Sequence, residues 1–113
     1  MLVVGDRSKA LGIARHLPPG WAARRSATLP RRTDAELLVL CDATGPAVAA
    51  ARRRHGTSAL LAVVAVDAPG EVIGEVLEAG ADACVRDGST ASVVGHLRHL
   101  LAAGRTAAPT AAP

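Results

Sequence analysis

Short aliphatic runs recur along the chain and constrain its fold more strongly than any other feature. Met1–Val4, Leu37–Cys41 and Leu60–Val66 contain no polar residue, and a shorter run spans Ala81–Val85. Strands that are buried on both faces have this composition, which is typical of a parallel sheet covered by helices. A fifth strand is predicted over Trp21–Thr28, where two adjacent arginines indicate an edge strand with one wet face.

Helical patterns separate these strands. The sequence predicts a first helix over Arg7–Leu17 with Leu11, Ala14 and Leu17 facing inward, a second over Ala47–His55 and a third that ends at Gly80. A last helix follows, with the apolar residues Val93, Val94, Leu97, Leu100 and Leu101 at helical spacing. Alternating strands and helices predict an α/β fold, a flavodoxin-like doubly wound sheet of five parallel strands in the order 2-1-3-4-5. Too few residues separate the second and third strands for a full helix, so that helix is expected to be shortened or lost.

Composition limits the classes of function. A chain of 113 residues forms one domain, predicted over 1–104, and 105–113 reads as a flexible tail or the start of an interdomain linker. The only aromatic residue is Trp21, and the basic residues are scattered, which argues against direct nucleic-acid binding by this domain. No apolar run approaches the ~20 residues that cross a membrane. Cys41 and Cys84 fall in predicted buried strands, which favours a reduced, cytoplasmic protein.

Acidic residues follow four of the strands: Asp6, Asp42, Asp67 and Asp87. In a doubly wound sheet, ligands bind at the carboxyl ends of the strands, so these residues predict an acidic pocket. Three interpretations stay open: Asp6, Asp42 and Asp67 cap the following helices, Asp6 and Asp42 hold Mg²⁺ or another divalent cation, or Asp42 is a phosphoacceptor. Arg7 and Arg86 are near enough in sequence to neutralise the pocket. No nucleophile–base pair can be assembled, so an enzyme is not expected and no cofactor other than Mg²⁺ is considered.

The stretch Leu77–Leu101 resembles the last third of a response-regulator receiver domain of the CheY-like or OmpR-like kind, and Gly80-Ala81-Asp82 matches its Gly-Ala-Asp run. That family places an acidic pair after the first strand, a phosphoacceptor Asp after the third, Thr or Ser after the fourth and Lys after the fifth. In this chain Gly5-Asp6 stands at the position of the acidic pair, and Cys41 or, one residue later, Asp42 stands at the position of the phosphoacceptor. Val66 or Asp67 stands at the position of the Thr or Ser, and Asp87 at the position of the Lys. Cys84 replaces the aromatic residue of the last strand. The resemblance therefore implies a degenerate receiver, in which Cys41 is expected to be a packing residue and not a nucleophile.

The resemblance also picks out a candidate dimer face. OmpR-like domains pair through the corresponding helices and last strand, and here these elements carry opposite charges. The acidic residues are Glu71, Glu75 and Glu78, and the basic ones are Arg86, Arg98 and His99. Such surfaces can complement each other across a two-fold axis, which predicts a homodimer.

The sequence thus predicts a non-catalytic regulatory module of an atypical bacterial response regulator. Its expected roles are dimerisation and control of a DNA-binding effector domain without conventional aspartyl phosphorylation, with a small molecule or a protein contact as the input. One alternative is a phosphoacceptor receiver that uses Asp42 with Mg²⁺. Another is a localisation or adaptor module fused to an ATPase.

Overall fold

The computed structural model describes residues 1–17, 19–33, 35–87 and 93–100. Five strands are present: β1 (Leu2–Val4), β2 (Arg24–Ser26), β3 (Leu37–Cys41), β4 (Ala59–Val64) and β5 (Ala83–Arg86). The helices are α1 (Arg7–Arg15), α2 (Gly45–Arg54), α3 (Gly70–Glu78) and α4, whose described part covers 93–100. Within these ranges, no helix is long and apolar enough to cross a membrane. The predicted domain boundary at 104 and 105 lies outside the described residues.

All neighbouring strands are parallel, and their order is β2-β1-β3-β4-β5, which confirms the predicted fold class. The predicted strands were too long, because β2 pairs only over Arg24–Ser26 and β4 ends at Val64. The two arginines of β2 are exposed at the edge of the sheet, as their charge predicted. In the described sheet all strands run in the same direction, so their amino ends lie together on one side and their carboxyl ends lie together on the other.

Each face of the sheet has its own aliphatic core. Leu38 and Leu60 pack on one face with α2 and α3, while Val39 and Leu61 pack on the other with α1 and α4. This division follows from the period of two along a strand, which sends successive side chains to opposite faces. Small aliphatic residues on both faces let the helices approach the sheet closely without aromatic residues.

The predicted inward face of α1 was wrong in part. Leu11 is 52% exposed and Ala14 is exposed, whereas Ala10 and Ile13 are buried and Leu17 packs at the edge of their core. The amide nitrogen of Lys9 donates a hydrogen bond to the side chain of Asp6, which caps the helix. This cap sets the phase of the helix, and the phase selects Ala10 and Ile13 for the core.

The helix between β2 and β3 is lost, as predicted: the described residues of 27–36, here called the crossover loop, contain no helix. Side chains from the end of α2 and the start of β4 hold this loop. His55 Nε2 lies 3.0 Å from the Pro30 carbonyl oxygen, and Ser58 Oγ donates to the Ala35 carbonyl oxygen at 2.8 Å. Both His55 and Ser58 are buried, and their hydrogen bonds hold the crossover loop in place where a packed helix is lacking.

The Gly80-Ala81-Asp82 run has a structural role. Asp82 Oδ2 accepts hydrogen bonds from the Leu60 amide at 2.8 Å and from Arg52 Nη2 at 2.9 Å. Arg52 also donates to the carbonyl oxygens of Gly80 and Ser58. A Cβ atom at Gly80, where φ is +124°, would lie 2.9 Å from Arg52 Cγ, so glycine is needed for this approach. The run therefore joins α2, β4 and β5.

Replacing Asp82 by Ala should destabilise the protein by about 1–3 kcal/mol, because the Leu60 amide and the Arg52 guanidinium both lose their acceptor. Urea unfolding followed by circular dichroism measures the loss. Asp67→Ala is the matched control, because Asp67 is exposed and makes no hydrogen bond or ion pair with a described residue. Equal stability of the two variants would contradict this role for Asp82.

Candidate functional site

Three charged side chains from three elements meet at the carboxyl end of the sheet. Lys9 Nζ lies 2.6 Å from Asp42 Oδ1 and 3.1 Å from Asp87 Oδ2. Asp42 directly follows β3, Asp87 directly follows β5, and Lys9 lies in the first turn of α1. These three residues are called the Lys9 pocket below.

A helix cap, a strand hydrogen bond and a turn place the three members of the Lys9 pocket. The Asp6 cap fixes the first turn of α1 and thereby the direction of the Lys9 side chain. The Asp87 amide donates to the Val64 carbonyl oxygen at 2.8 Å, which continues the β4–β5 pairing by one residue. Asp42 has a φ of +50°, a conformation that Asp adopts more readily than most residues, and there the chain turns out of the sheet.

The ammonium group of Lys9 is held in its charged form. The hydrogen bond to Asp42 raises the pKa of Lys9 most, burial lowers it, and the hydrogen bond to Asp87 raises it again, so the net pKa is well above its ordinary value. The Lys9 side chain is 27% exposed, against 67% for Asp42 and 45% for Asp87. Two carboxylates and one ammonium leave the pocket with a formal charge of −1.

Cys41 closes the floor of the pocket. A Cβ atom added at Gly5 would lie only 2.6 Å from Cys41 Cβ, so the ends of β1 and β3 can pack together only because residue 5 is glycine. Burial raises the pKa of the Cys41 thiol to about 11, although the nearby Lys9 ammonium opposes the shift. A cavity of about 200 Å³ beside this thiol is lined by Lys9, Ile13, Cys41 and Asp87 among others. The thiol is therefore neutral near pH 7 and is a poor nucleophile.

Comparison with known proteins relates this architecture to solved structures. An orphan response regulator of H. pylori is 17% identical with a TM-score of 0.70, covering 88% of this chain and 93% of that one. A response regulator from Thermotoga maritima is 12% identical with a TM-score of 0.77, covering 89% and 95%. A pilus assembly-related protein from Burkholderia pseudomallei is 18% identical with a TM-score of 0.68, covering 89% and 87%.

The fold is that of a response-regulator receiver domain. No family model and no curated protein matches the chain, so this assignment comes from the structure. At these identities, the likeness shows the fold alone.

Against the receiver pattern, the carboxyl end of the sheet has its charges rearranged. The position expected for Lys after the last strand holds Asp87, and the cation of the pocket comes instead from Lys9 on the first helix. β3 ends at Cys41, and Asp42 is the first residue beyond it. Of these two phosphoacceptor-position candidates, only Asp42 has oxygen atoms in its side chain, and its Oδ1 accepts a hydrogen bond from Lys9 Nζ.

Only one of the three predicted helix caps is present. Asp6 caps α1, but Thr44 caps α2, since its hydroxyl accepts a hydrogen bond from the Ala47 amide at 3.3 Å. α3 begins after Pro69 without a side-chain cap. The capping interpretation was therefore wrong for Asp42 and Asp67, and Asp67 lies exposed outside the Lys9 pocket.

The predicted cation ligands, Asp6 and Asp42, are both engaged by Lys9, one through its amide and one through its ammonium. In the part of the chain that the structure describes, no three His, Cys, Asp or Glu side chains are grouped to hold a metal ion. An ammonium already lies between Asp42 and Asp87. In this conformation the ammonium occupies the space in which a divalent cation shared by Asp42 and Asp87 would lie.

Lys9 is the residue of the candidate site that sequence analysis missed. The expected neutralisers lie elsewhere: Arg86 donates to the Ala68 carbonyl oxygen, and Arg7 is exposed without a partner among the described residues. Two signals could have found Lys9. It is the only lysine in the chain, and it lies three residues after Asp6, at the position whose amide an N-cap residue binds.

All six residues of the candidate dimer face are exposed. Glu75 lies on the side of α3 that faces α2, because its Cγ would be 2.9 Å from a Cβ atom at Gly45. Arg86 lies on the edge strand β5, with its guanidinium hydrogen-bonded to Ala68. Among the acidic residues of this face, Glu75 thus lies beside α2, and the basic residues lie on β5 and α4.

Alkylation of Cys41 in the folded protein should be about 100-fold slower near pH 8 than in the urea-unfolded chain, because a pKa near 11 in place of 9.0 lowers the thiolate fraction by that factor. Mass spectrometry of a Cys84→Ser variant treated with iodoacetamide isolates the Cys41 rate. Similar rates in folded and unfolded protein would show that Cys41 is an accessible, reactive thiol.

Proposed function

We propose that this chain is a non-catalytic regulatory module of an atypical bacterial response regulator, which signals in the cytoplasm without aspartyl phosphorylation. The observation that supports this most is the Lys9 pocket, in which the chain's own ammonium group bridges Asp42 and Asp87. The receiver fold supplies the class of function, since such domains are generally signalling domains. The charges of the pocket supply the argument against phosphorylation.

Phosphorylation of Asp42 would add charge where the pocket cannot neutralise it. A phosphoryl group carries about two negative charges near pH 7. Lys9 contributes one positive charge, and Asp87 already cancels it. In a receiver of the usual pattern, Lys stands in place of Asp87 and a divalent cation supplies further positive charge. Here a phosphorylated Asp42 would face a carboxylate, which raises the free energy of the modified state.

The output is proposed to run through dimerisation. The exposed charges on α3, β5 and α4 form a surface that can pair with a second copy, and dimerisation would then control a DNA-binding effector domain. Two-fold pairing of an acidic and a basic element fixes the orientation of the two copies more than it adds affinity, because exposed ion pairs stabilise weakly.

Mg²⁺ and beryllofluoride should not produce saturable amide NMR shifts at Asp42 and Asp87 in the unmodified protein, because Lys9 occupies the space between the carboxylates. Lys9→Met should gain a Mg²⁺ response, since two unpaired carboxylates then face each other. Arg7→Met is the matched control: it removes a positive charge from the same helix turn but leaves the pocket intact.

A beryllofluoride response that saturates in the unmodified protein and disappears in Asp42→Asn would contradict this proposal. That result would establish the alternative function, a phosphoacceptor receiver that uses Asp42 with Mg²⁺.

Sedimentation velocity should show a dimer that Arg98→Glu weakens, because the reversal places like charges across the two-fold axis. Arg15→Glu makes the same change on the exposed face of α1 and should leave the association unchanged. Unchanged association in Arg98→Glu, or a monomer at every concentration, would count against the proposed dimer face.

A second candidate function is a localisation or adaptor module fused to an ATPase. The observation that favours it is the structural likeness to a protein described as pilus assembly-related. The two functions differ in the full-length protein. Sequence-specific DNA binding would support the transcriptional role, and ATP hydrolysis by an attached domain would support the adaptor role.

A further inference from the structure

The lost helix leaves two adjoining openings along β1 and β2. The larger, about 590 Å³, is lined by Leu2, Arg24, Arg25, Ser26, Arg32 and Thr33 among others, and is called the arginine cleft below. The smaller, about 360 Å³, has Trp21, Ala35 and Leu37 in its wall. Leu2, Arg24 and Thr33 line both, so the openings share one wall. Together they offer a compartment rich in arginine beside one of mixed lining that contains Trp21.

The arginine cleft has an excess of positive charge. Arg25 Nε donates to the Gly5 carbonyl oxygen at 3.0 Å, which fixes the direction of that guanidinium. The guanidinium groups of Arg24 and Arg32 make no hydrogen bond or ion pair with any residue that the structure describes. The only carboxylate among the described lining residues is Glu36, which belongs to the smaller opening; Asp34 lies outside the described residues. Several guanidinium groups without carboxylate partners suit an anion.

We propose that the arginine cleft binds a small aromatic phosphate, the chemical class of the nucleoside monophosphates. Guanidinium groups bind phosphate oxygens through paired N–H donors. The hydroxyl group of Thr33 lies in the same wall; its oxygen accepts from the Ala35 amide, which leaves its proton to donate, whereas the Ser26 hydroxyl already donates to the Thr28 carbonyl oxygen. The ring of the ligand enters the smaller opening, where Trp21 supplies an aromatic surface and Leu2 and Leu37 an apolar one. Each opening falls within the range of about 300–1,000 Å³ that small-molecule sites occupy.

Arg25 connects this cleft to the carboxyl end of the sheet. Its acceptor, the Gly5 carbonyl oxygen, belongs to the residue that packs on Cys41 and precedes the capping Asp6. A phosphate that draws Arg25 into the cleft removes this hydrogen bond and thereby acts on the start of α1. This signal would make the ligand the input of the proposed regulatory module and so depends on the proposed function. The binding of the ligand to the arginine cleft does not depend on that function.

The test uses AMP, with inorganic phosphate and adenosine as the probes for its two parts. Trp21 is the only aromatic residue, so intrinsic fluorescence reports on the smaller opening alone, and calorimetry gives the affinity independently. The double variant Arg24→Gln/Arg32→Gln removes two exposed guanidinium groups from the cleft. Arg15→Gln/Arg53→Gln removes two exposed arginines that line neither opening, and is the matched control.

The proposal expects AMP to bind, phosphate and adenosine to bind more weakly, and AMP affinity to fall about tenfold or more in the cleft variant but not in the control. No binding of AMP or phosphate, or an equal loss in both variants, would overturn it. Tighter binding of a single-stranded oligonucleotide that falls equally in both variants would also overturn it. These outcomes are separate from the beryllofluoride response, so failure here leaves the proposal about Asp42 standing.

Discussion

The ion pairs of Lys9 with Asp42 and Asp87 set the chemistry of the carboxyl end of the sheet, where a doubly wound fold binds its ligands. They join the first helix to the ends of two strands that are not sequence neighbours. All three side chains are partly exposed, so each pair contributes only about 0–1 kcal/mol to the free energy of unfolding. The importance of the pairs is therefore electrostatic: they place an ammonium group between the two carboxylates, where a divalent cation shared by both would lie.

Two further sets of contacts hold the crossover loop and the end of α2 to the rest of the fold, which lacks a helix between β2 and β3. The crossover loop is fastened by His55 and Ser58, and Arg52 with Asp82 ties the end of α2 to β4 and β5. Both sets lie near the amino ends of β4 and β5, away from the Lys9 pocket. The structural polar contacts therefore lie at the amino ends of the strands, and the candidate site lies at the carboxyl ends. The arginine cleft opens along β1 and β2, where the crossover loop takes the place of the lost helix.

The architecture could be predicted because aliphatic runs and their spacing are local signals. The run at Leu37–Cys41 and the short connection before it were enough to predict a central strand and a missing helix. The inward face of α1 was harder, because Ala, Leu and Ile fill both candidate faces and only the Asp6 cap decides between them. The caps of α2 and α3 were misassigned because Thr44 and Pro69 lie closer to the helix starts than Asp42 and Asp67.

The candidate site was predicted only in part. Its carboxylates could be found, since each follows a strand whose place in the sheet was predictable. Lys9 was missed: it is the only lysine and follows Asp6 by three residues, but its partners lie 33 and 78 positions further along the chain and no local pattern links it to them. A single long side chain at one helix position thus cancels one of the two negative charges of the pocket. Long-range ion pairs of this kind depend on helix phase, which the sequence specified less clearly than strand order.

We infer that Lys9 is the resident cation of the pocket, and its ammonium can be observed alone because the chain has no other lysine. Selective labelling of lysine and a pH titration of its side-chain NMR signal would give the pKa directly. We expect a pKa of Lys9 above that of free lysine, lowered toward the ordinary value by Asp42→Asn. An ordinary pKa that does not change in Asp42→Asn would mean that Lys9 extends into solvent, and the pocket would have to be regarded as open to metal and phosphate.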